Sequence, residues 1–201
     1  MAELPRRELV LASASRFRRR MLEAAGLSFR VVPAEVDEVG LRRRMTAADL
    51  ARVAETLAQA KAVAVSKAHP HALVVGADQV LALGDKLFNK PKDLNEAREQ
   101  LKTLRGHPHH LHTAAALAQA GKVLWSHTET ARLVMHPFSD AFLDRYLAAA
   151  GARVCQTVGA YEIEGRGIQL FERIEGDSFT IIGLPLLALL AELRARGAID
   201  T

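Results

Sequence analysis

The sequence predicts an α/β protein built on a mixed β-sheet, and three observations predict it. Short apolar runs alternate with capped, amphipathic segments along the chain. Two long strand-like runs, near 109–119 and 122–135, are joined only by a turn at Gly121, so hairpins accompany the strand–helix alternation. The 201 residues are 49% hydrophobic, enough to bury one core, as one domain or one domain with two lobes.

The elements follow in order. Residues 8–12 read as a short buried strand, Ser13 to Ser15 as a turn, and 16–25 as a helix stopped by Gly26. "SFRVV" is a second strand, and the polar "PAEVDEVGLRRRM" is a loop. Thr46 caps a long helix over roughly 47–68, with Leu50, Val53, Ala54, Leu57 and Ala64 on one stripe. "ALVVGADQVLAL" is a central strand that Gly84–Asp85 turns back. Asp93 and Glu96 have capping-box spacing for a helix ending at Gly106. After the two long strands, Ser139 caps a helix that stops at Gly151. "QTVGAYEIEGRGIQLFERIEG" is strand and turn, and a last amphipathic helix begins near Pro185. No internal repeat or low-complexity linker interrupts the series.

Lys and Arg number 27 against 23 acids, a net charge of +4, which argues against a general nucleic-acid binder. The positive charge gathers at residues 16–20 and at Arg42–Arg44, which leaves local phosphate binding open. The single cysteine, Cys155, forms no internal disulfide and is expected to be a packed residue of a protein in a reducing compartment. The apolar stretch after Arg6–Arg7 is shorter than the roughly 7–15 residues of a signal-peptide core, and no segment nears the roughly 18 of a membrane span. A soluble, cytoplasmic protein is the expectation.

A few residues break the pattern. Asp78 interrupts an otherwise buried strand, where a carboxylate needs a cation, a metal or a donor. Lys61 falls on the apolar stripe of its helix and either snorkels outward or aims an ammonium into a cleft. Lys90 precedes Pro91, which favours extended backbone at the lysine. "VDE", 36–38, places two acids in a loop. His107, His109, His110 and His112 have no acid or cysteine close by in sequence and read as a solvated turn.

"LVLASASRFRRRML" has the layout of an anion site: a strand, a serine-rich turn, then a helix N-terminus whose amides lack partners. Arg16, Arg18, Arg19 and Arg20 oppose the helix dipole there unless an anion answers them. Neither GxGxxG nor GxxxxGK[ST] is present, so dinucleotide and P-loop sites are not supported. Arg18, Lys61 and Lys90 can hold phosphates. Glu38 and Asp78 can hold Mg²⁺ or Mn²⁺ through oxygen, and one of the two carboxylates can activate water.

Several segments, in this order, resemble the Maf family of nucleoside triphosphate pyrophosphatases: "LASASRFRRRMLEAAGLSF", "VDE", "LAQAKA", "VVGADQV", "NKP", "GAYEIEG" and "IIGLPL". The resemblance spans about residues 8–196. It implies a single domain over 1–201, with an elongated α/β fold, a mixed, twisted sheet flanked by helices and two lobes around a cleft. It implies a homodimer, and hydrolysis between the α- and β-phosphates of a nucleoside triphosphate. On that resemblance Ser13, Ser15 and Arg18 are the phosphate-binding loop, and Glu38 is the acid near the metal. Lys61 and Lys90 are the two family lysines, and Asp78 is the catalytic base and a metal partner.

Three positions bear on the base. The branch that resembles dTTP and UTP pyrophosphatases has Ser-Pro-Arg-Arg, Ala-Asp-Thr and Gly-Ile-Gln-Gly, where this chain has Phe17, Gln79 and Glu164 in place of the first arginine, the threonine and the glutamine. The branch that resembles 7-methyl-GTP pyrophosphatases has Trp, Gln and Glu there, so two of three match. Glu164 can accept from the N1–H and N2–H₂ of guanine, and Phe17 can face a cationic base. The bland alternatives are a solvated turn residue for Glu164 and a core ring beside Met21 for Phe17. Arg16 stands where the family has proline. Phe17 and Arg16 keep a pyrimidine or broad-range triphosphatase open as an alternative, and a non-catalytic cell-division or nucleic-acid-binding factor is an alternative of another class.

Overall fold

The computed structural model describes residues 8–43 and 50–200. Among the described residues, β1 (Leu9–Leu11), β2 (Arg30–Val31), β3 (Leu73–Leu83), β4 (Lys86–Phe88), β5 (Pro108–Gln119), β6 (Lys122–Met135) and β7 (Phe171–Glu175) form one sheet. Its order is β2-β1-β3-β5-β6-β7, with β4 paired to β3. β1 runs parallel to both β2 and β3, while β3–β4 and β6–β7 are antiparallel, so the sheet is mixed as expected. The helices are α1 (Arg16–Ala24), α2 (Glu38–Arg43), α3 (Leu50–Ala68), α4 (Leu94–Leu104), α5 (Asp140–Ala150), α6 (Ser178–Ile182) and α7 (Leu186–Ala195).

The chain divides into two compact units, one of residues up to Gln79 with 113–129 and 178 onward, the other of Val80–His112 and Thr130–Asp177. In the first unit, one sheet face packs Leu9, Leu11, Leu73, Val75 and Ala77 against Met21 and Leu22 of α1 and Leu186, Leu189 and Leu193 of α7. The other face meets α3. Strand alternation decides which residue goes where: 73, 75, 77 and 79 share one side, 74, 76 and 78 the other. Gly76 permits a close approach, since a Cβ there would stand 2.2 Å from Ala58 O and 2.6 Å from Ala62 N. The second unit contains α4 and α5, each begun by a side-chain cap, Asp93 accepting from Glu96 N–H and Ser139 from Phe142 N–H.

Several expectations are corrected. The 33–45 segment is not all loop: α2 forms because Asp37 caps it, its Oδ1 accepting from Gly40 N–H at 2.9 Å. "SFRVV" contributes only Arg30–Val31, both exposed, because an edge strand with no covering layer gains little from more pairing. The 156–176 segment is turn and strand as expected: 3₁₀ turns, with Gly159 and Ala160 at φ +78° and +60°, lead into β7. α6 was not foreseen. Cys155 is half-buried, at the end of a 3₁₀ turn where packing is one-sided. Thr46, as cap of the long helix, and Arg44 lie outside the described residues, as do Arg6–Arg7.

His109 overturns the reading of the four histidines as a solvated turn. It lies on β5, fully buried, with Nε2 3.0 Å from the Tyr161 hydroxyl. Alternation on the strand turns 109 inward, and the ring packs obliquely on Tyr161 and Phe171. Burial pushes its pKa down to about 4, so the ring is neutral at neutral pH. The other three are half-buried or exposed.

Candidate active site

β1 ends early. Leu11 pairs with Val75, and Ala12 N–H still donates to Val75 O at 2.8 Å, but the chain then turns away while β3 continues. Beyond that point β3 carries Asp78 and Gln79 past the end of its neighbour. Because β2 and β3 flank β1 on opposite sides, this is a topological switch point, the place where parallel sheets leave a crevice at their strand ends.

The turn after β1 is built around Arg18. Ser15 caps α1, its hydroxyl oxygen facing Arg18 N–H at 3.5 Å. Ser13 Oγ accepts from Ser15 N–H and from Arg18 Nη1, each at 3.2 Å. Arg18 Nε donates to Gly183 O at 2.8 Å. Arg18 is 9% exposed, and burial lowers its pKa while Asp78 and then Glu38 support the charge. A guanidinium has five N–H donors, so two bonds hold it in place and leave others for an anion. The remaining arginines do not share this role: Arg19 pairs with Glu23 at 2.7 Å on the surface, and Arg16 lies 4.7 Å from the centre of the Phe17 ring. Phe17 is half-buried under that cation, which departs from a core ring.

Lys61 resolves the choice left open for it. It does not snorkel. Its side chain is 12% exposed, and Nζ lies 2.6 Å from Asp78 Oδ1 and 2.7 Å from Glu38 Oε1. The close approach of α3 at Gly76 brings Lys61 within reach of Asp78, two residues along the same strand face. The first turn of α2 supplies Glu38. Burial raises the Glu38 pKa, but the hydrogen bond and charge of Lys61, with Arg42 and Arg18, outweigh it and hold the carboxyl below its ordinary value. Asp78 is 4% exposed, and its Oδ2 accepts no hydrogen bond among the described residues.

Arg42 belongs here too. Its Nη2 is 3.8 Å from Asp78 Oδ2 and 3.7 Å from Glu38 Oε2. The sequence flagged it only as part of a basic patch. Recognising Asp37 as a cap would have made 38–43 a helix and put Arg42 one turn after Glu38. Gly183 was also missed, although its φ of +130° marks a place only glycine takes readily.

Ser13, Ser15, Arg18, Glu38, Lys61, Asp78 and Gln79 thus come together in the first unit. Lys90 and Glu164 belong to the second unit, Lys90 exposed just after β4 and Glu164 exposed in the turn that precedes a 3₁₀ segment. Among the described residues no group of three or more histidines, cysteines and acids is placed to hold a metal. The two carboxylates still fit a hard divalent cation: Mg²⁺ is commonly held by one or two carboxylates with substrate phosphates and water, and the buried Asp78 Oδ2 accepts no hydrogen bond among the described residues.

A clamped arginine and a lysine bridging two carboxylates, at a switch point of the strand order, equip this α/β protein for a phosphorylated ligand. The chain belongs to the Maf family: the family described as "Maf-like protein" matches residues 8–196. A "7-methyl-GTP pyrophosphatase" of Mesorhizobium japonicum is 52% identical over 195 residues, 96% of this chain and 98% of that one. A protein of the same name from Rhizobium meliloti is 50% identical over 194 residues, with the same coverage. A "Nucleoside triphosphate pyrophosphatase" of Paramagnetospirillum magneticum is 52% identical over 190 residues, 94% of this chain and 98% of that one. No helix among the described residues is long and apolar enough to cross a membrane.

Proposed function

We propose that this chain hydrolyses the α–β phosphoanhydride of a nucleoside triphosphate, with 7-methyl-GTP its best substrate, releasing the monophosphate and pyrophosphate. The observation that carries the reading is Asp78, a buried carboxylate with one oxygen on Lys61 and the other lacking a hydrogen-bond donor, at the strand end beside the Arg18 clamp. Relatives of about half-identical sequence that bear pyrophosphatase names support it.

The chemistry is mostly placement and charge. Arg18 and the amides at the start of α1 hold phosphate oxygens, and Lys90 is assigned the same task. Asp78 accepts a proton from water as that water's oxygen bonds the α-phosphorus. The bond from that phosphorus to the bridging oxygen breaks, and pyrophosphate leaves with the electron pair. Lys61 sets its ammonium between the Asp78 and Glu38 carboxylates and offsets the repulsion of two like charges side by side. Glu38 and Asp78 would hold Mg²⁺ or Mn²⁺, which would supply charge neutralisation at the phosphates.

Glu164 accepts from the guanine N1–H and N2–H₂, and Phe17 faces the methylated ring. The Arg16 guanidinium over Phe17 favours a second reading, a broader triphosphate range with weak preference for the methylated base, because a cation already occupies that ring face. We assign the protein to the cytoplasm on its single cysteine, which fits a reducing compartment, and a homodimeric state on the family resemblance.

The test is pyrophosphate release with Mg²⁺ or Mn²⁺ over 7-methyl-GTP, GTP, dTTP, UTP and CTP, with Asp78→Asn alongside. The reading expects 7-methyl-GTP to lead and Asp78→Asn to be inert. A lead for dTTP or UTP overturns the specificity. No turnover of any triphosphate, with salt-sensitive DNA binding, favours a non-catalytic binding factor instead.

A further inference from the structure

Gln79 follows Asp78 on β3 and therefore faces the opposite side of the sheet. Its Nε2 lies 2.9 Å from Thr113 Oγ1 and 3.0 Å from each of the carbonyl oxygens of Thr180 and Ile181. Thr113 is fully buried, and its hydroxyl donates to Thr180 O at 2.9 Å. A hydroxyl has one hydrogen, so towards Gln79 it can only accept. Three acceptors thus face one end of the Gln79 amide. Turned over, Oε1 would face two carbonyl oxygens that carry no hydrogen and could gain the Thr113 hydrogen only by taking it from Thr180 O, so the chemistry decides the orientation. Thr180 is itself held, its hydroxyl donating to Glu129 Oε2, while the other Glu129 oxygen lies 3.1 Å from His127 Nε2.

The amide nitrogen is therefore committed, and the carbonyl is what Gln79 has left to offer. Oε1 stands beside Gly183: a Cβ there would lie 3.9 Å from it and 3.9 Å from Arg18 Nε. The carbonyl and the phosphate-binding guanidinium flank one glycine, where the missing side chain leaves room.

We infer that Thr113 Oγ1 and the carbonyls of Thr180 and Ile181 form an acceptor cup that orients Gln79, so that the substrate's base meets a carbonyl and must bring N–H donors to it. The inference rests on the pyrophosphatase reading of the same site. Guanine offers three hydrogens on its adjacent N1–H and N2–H₂ groups, two for the Glu164 carboxylate and one left for the Gln79 carbonyl. Uracil and thymine offer one N–H between two carbonyl oxygens, which sets acceptor against acceptor. The cup residues act through Gln79 and are positioning residues.

The test uses Gln79→Met, Gln79→Glu and Thr113→Val on the full chain. The α,β-methylene analogues of GTP and UTP bind without being hydrolysed, so dissociation constants are read by calorimetry, and melting is read without ligand. The unaltered chain binds the guanosine analogue at least about tenfold more tightly than the uridine analogue, the difference that one hydrogen bond against one unpaired polar group gives. Gln79→Met brings the ratio to within about threefold of one, and Thr113→Val lowers it about threefold while Thr113→Ser retains it. Gln79→Glu, which has no hydrogen for the cup, melts below Gln79→Met. The inference is overturned if the ratio survives both Gln79→Met and Thr113→Val, or if the glutamate and methionine variants melt alike. If the unaltered chain hydrolyses triphosphates while that happens, the inference alone is lost. If it binds neither analogue, the inference and the reading it rests on are lost together.

Discussion

Gly76→Ala tests how the site is assembled without touching a reacting group. A Cβ at position 76 would stand 2.2 Å from Ala58 O, 2.6 Å from Ala62 N and 2.9 Å from Ala62 Cβ. Two of those are backbone atoms of α3, so no side-chain rotation relieves them. The helix must retreat by on the order of 1 Å to restore van der Waals separation. Ala62 adjoins Lys61, whose 2.6 Å and 2.7 Å contacts with Asp78 and Glu38 then lengthen or shear. Overpacking of this kind costs about 1–3 kcal/mol, and a misplacement near 1 Å costs roughly 100-fold in rate. The expected outcome is a fall in kcat/KM of about two orders of magnitude, followed by pyrophosphate release. Melting should drop by about 2–12 °C, since 1 kcal/mol moves Tm by about 2–4 °C in a chain of this size. Unchanged kcat/KM and unchanged melting would refute the reasoning, because α3 would then not depend on glycine to bring Lys61 to Asp78.

Other consequences are equally direct. Lys61→Met removes the hydrogen bond and charge that most lower the Glu38 carboxyl and leaves burial opposed only by Arg42 and Arg18, so the acid limb of the kcat/KM profile moves to higher pH and activity at neutral pH falls at least about 100-fold. His109 is buried neutral with a pKa of about 4, below the unfolded value of about 6.5, so it contributes stability above pH 6.5 that is lost as pH falls towards 4. Urea unfolding should show a loss of about 3 kcal/mol over that window that His109→Phe lacks. Arg16→Ala clears the face of Phe17 and should raise the preference for 7-methyl-GTP over GTP about two- to fivefold, read as a ratio of kcat/KM values.

Much of the site was legible because buried charge contradicts hydrophobic patterning. Asp78 stood out in "VVGADQV" and Lys61 on the stripe of its helix for the same reason, and the structure joins them at 2.6 Å. Arg18 was legible as a class, four arginines against a helix dipole, but which of them turns inward depends on Ser13 and on Gly183, far away in sequence. α2 escaped notice because six residues with a glycine make no periodic signal, and its cap is a single hydrogen bond from Asp37. His109 escaped because its partner, Tyr161, is 52 residues on, and nothing local says which of four spaced histidines faces inward. The 3₁₀ region after α5 follows from φ values that only packing imposes on a residue such as Ala160. Gln79 was recognised as a position, but the three acceptors that orient it come from β5 and α6.

The most direct test of the account is hydrolysis of 7-methyl-GTP in ¹⁸O-water by the unaltered chain and by Asp78→Asn. The account predicts label in the monophosphate alone, from water delivered to the α-phosphorus, and no turnover by Asp78→Asn. Label in pyrophosphate or orthophosphate, or an Asp78→Asn variant that labels the monophosphate at the same rate, would contradict it.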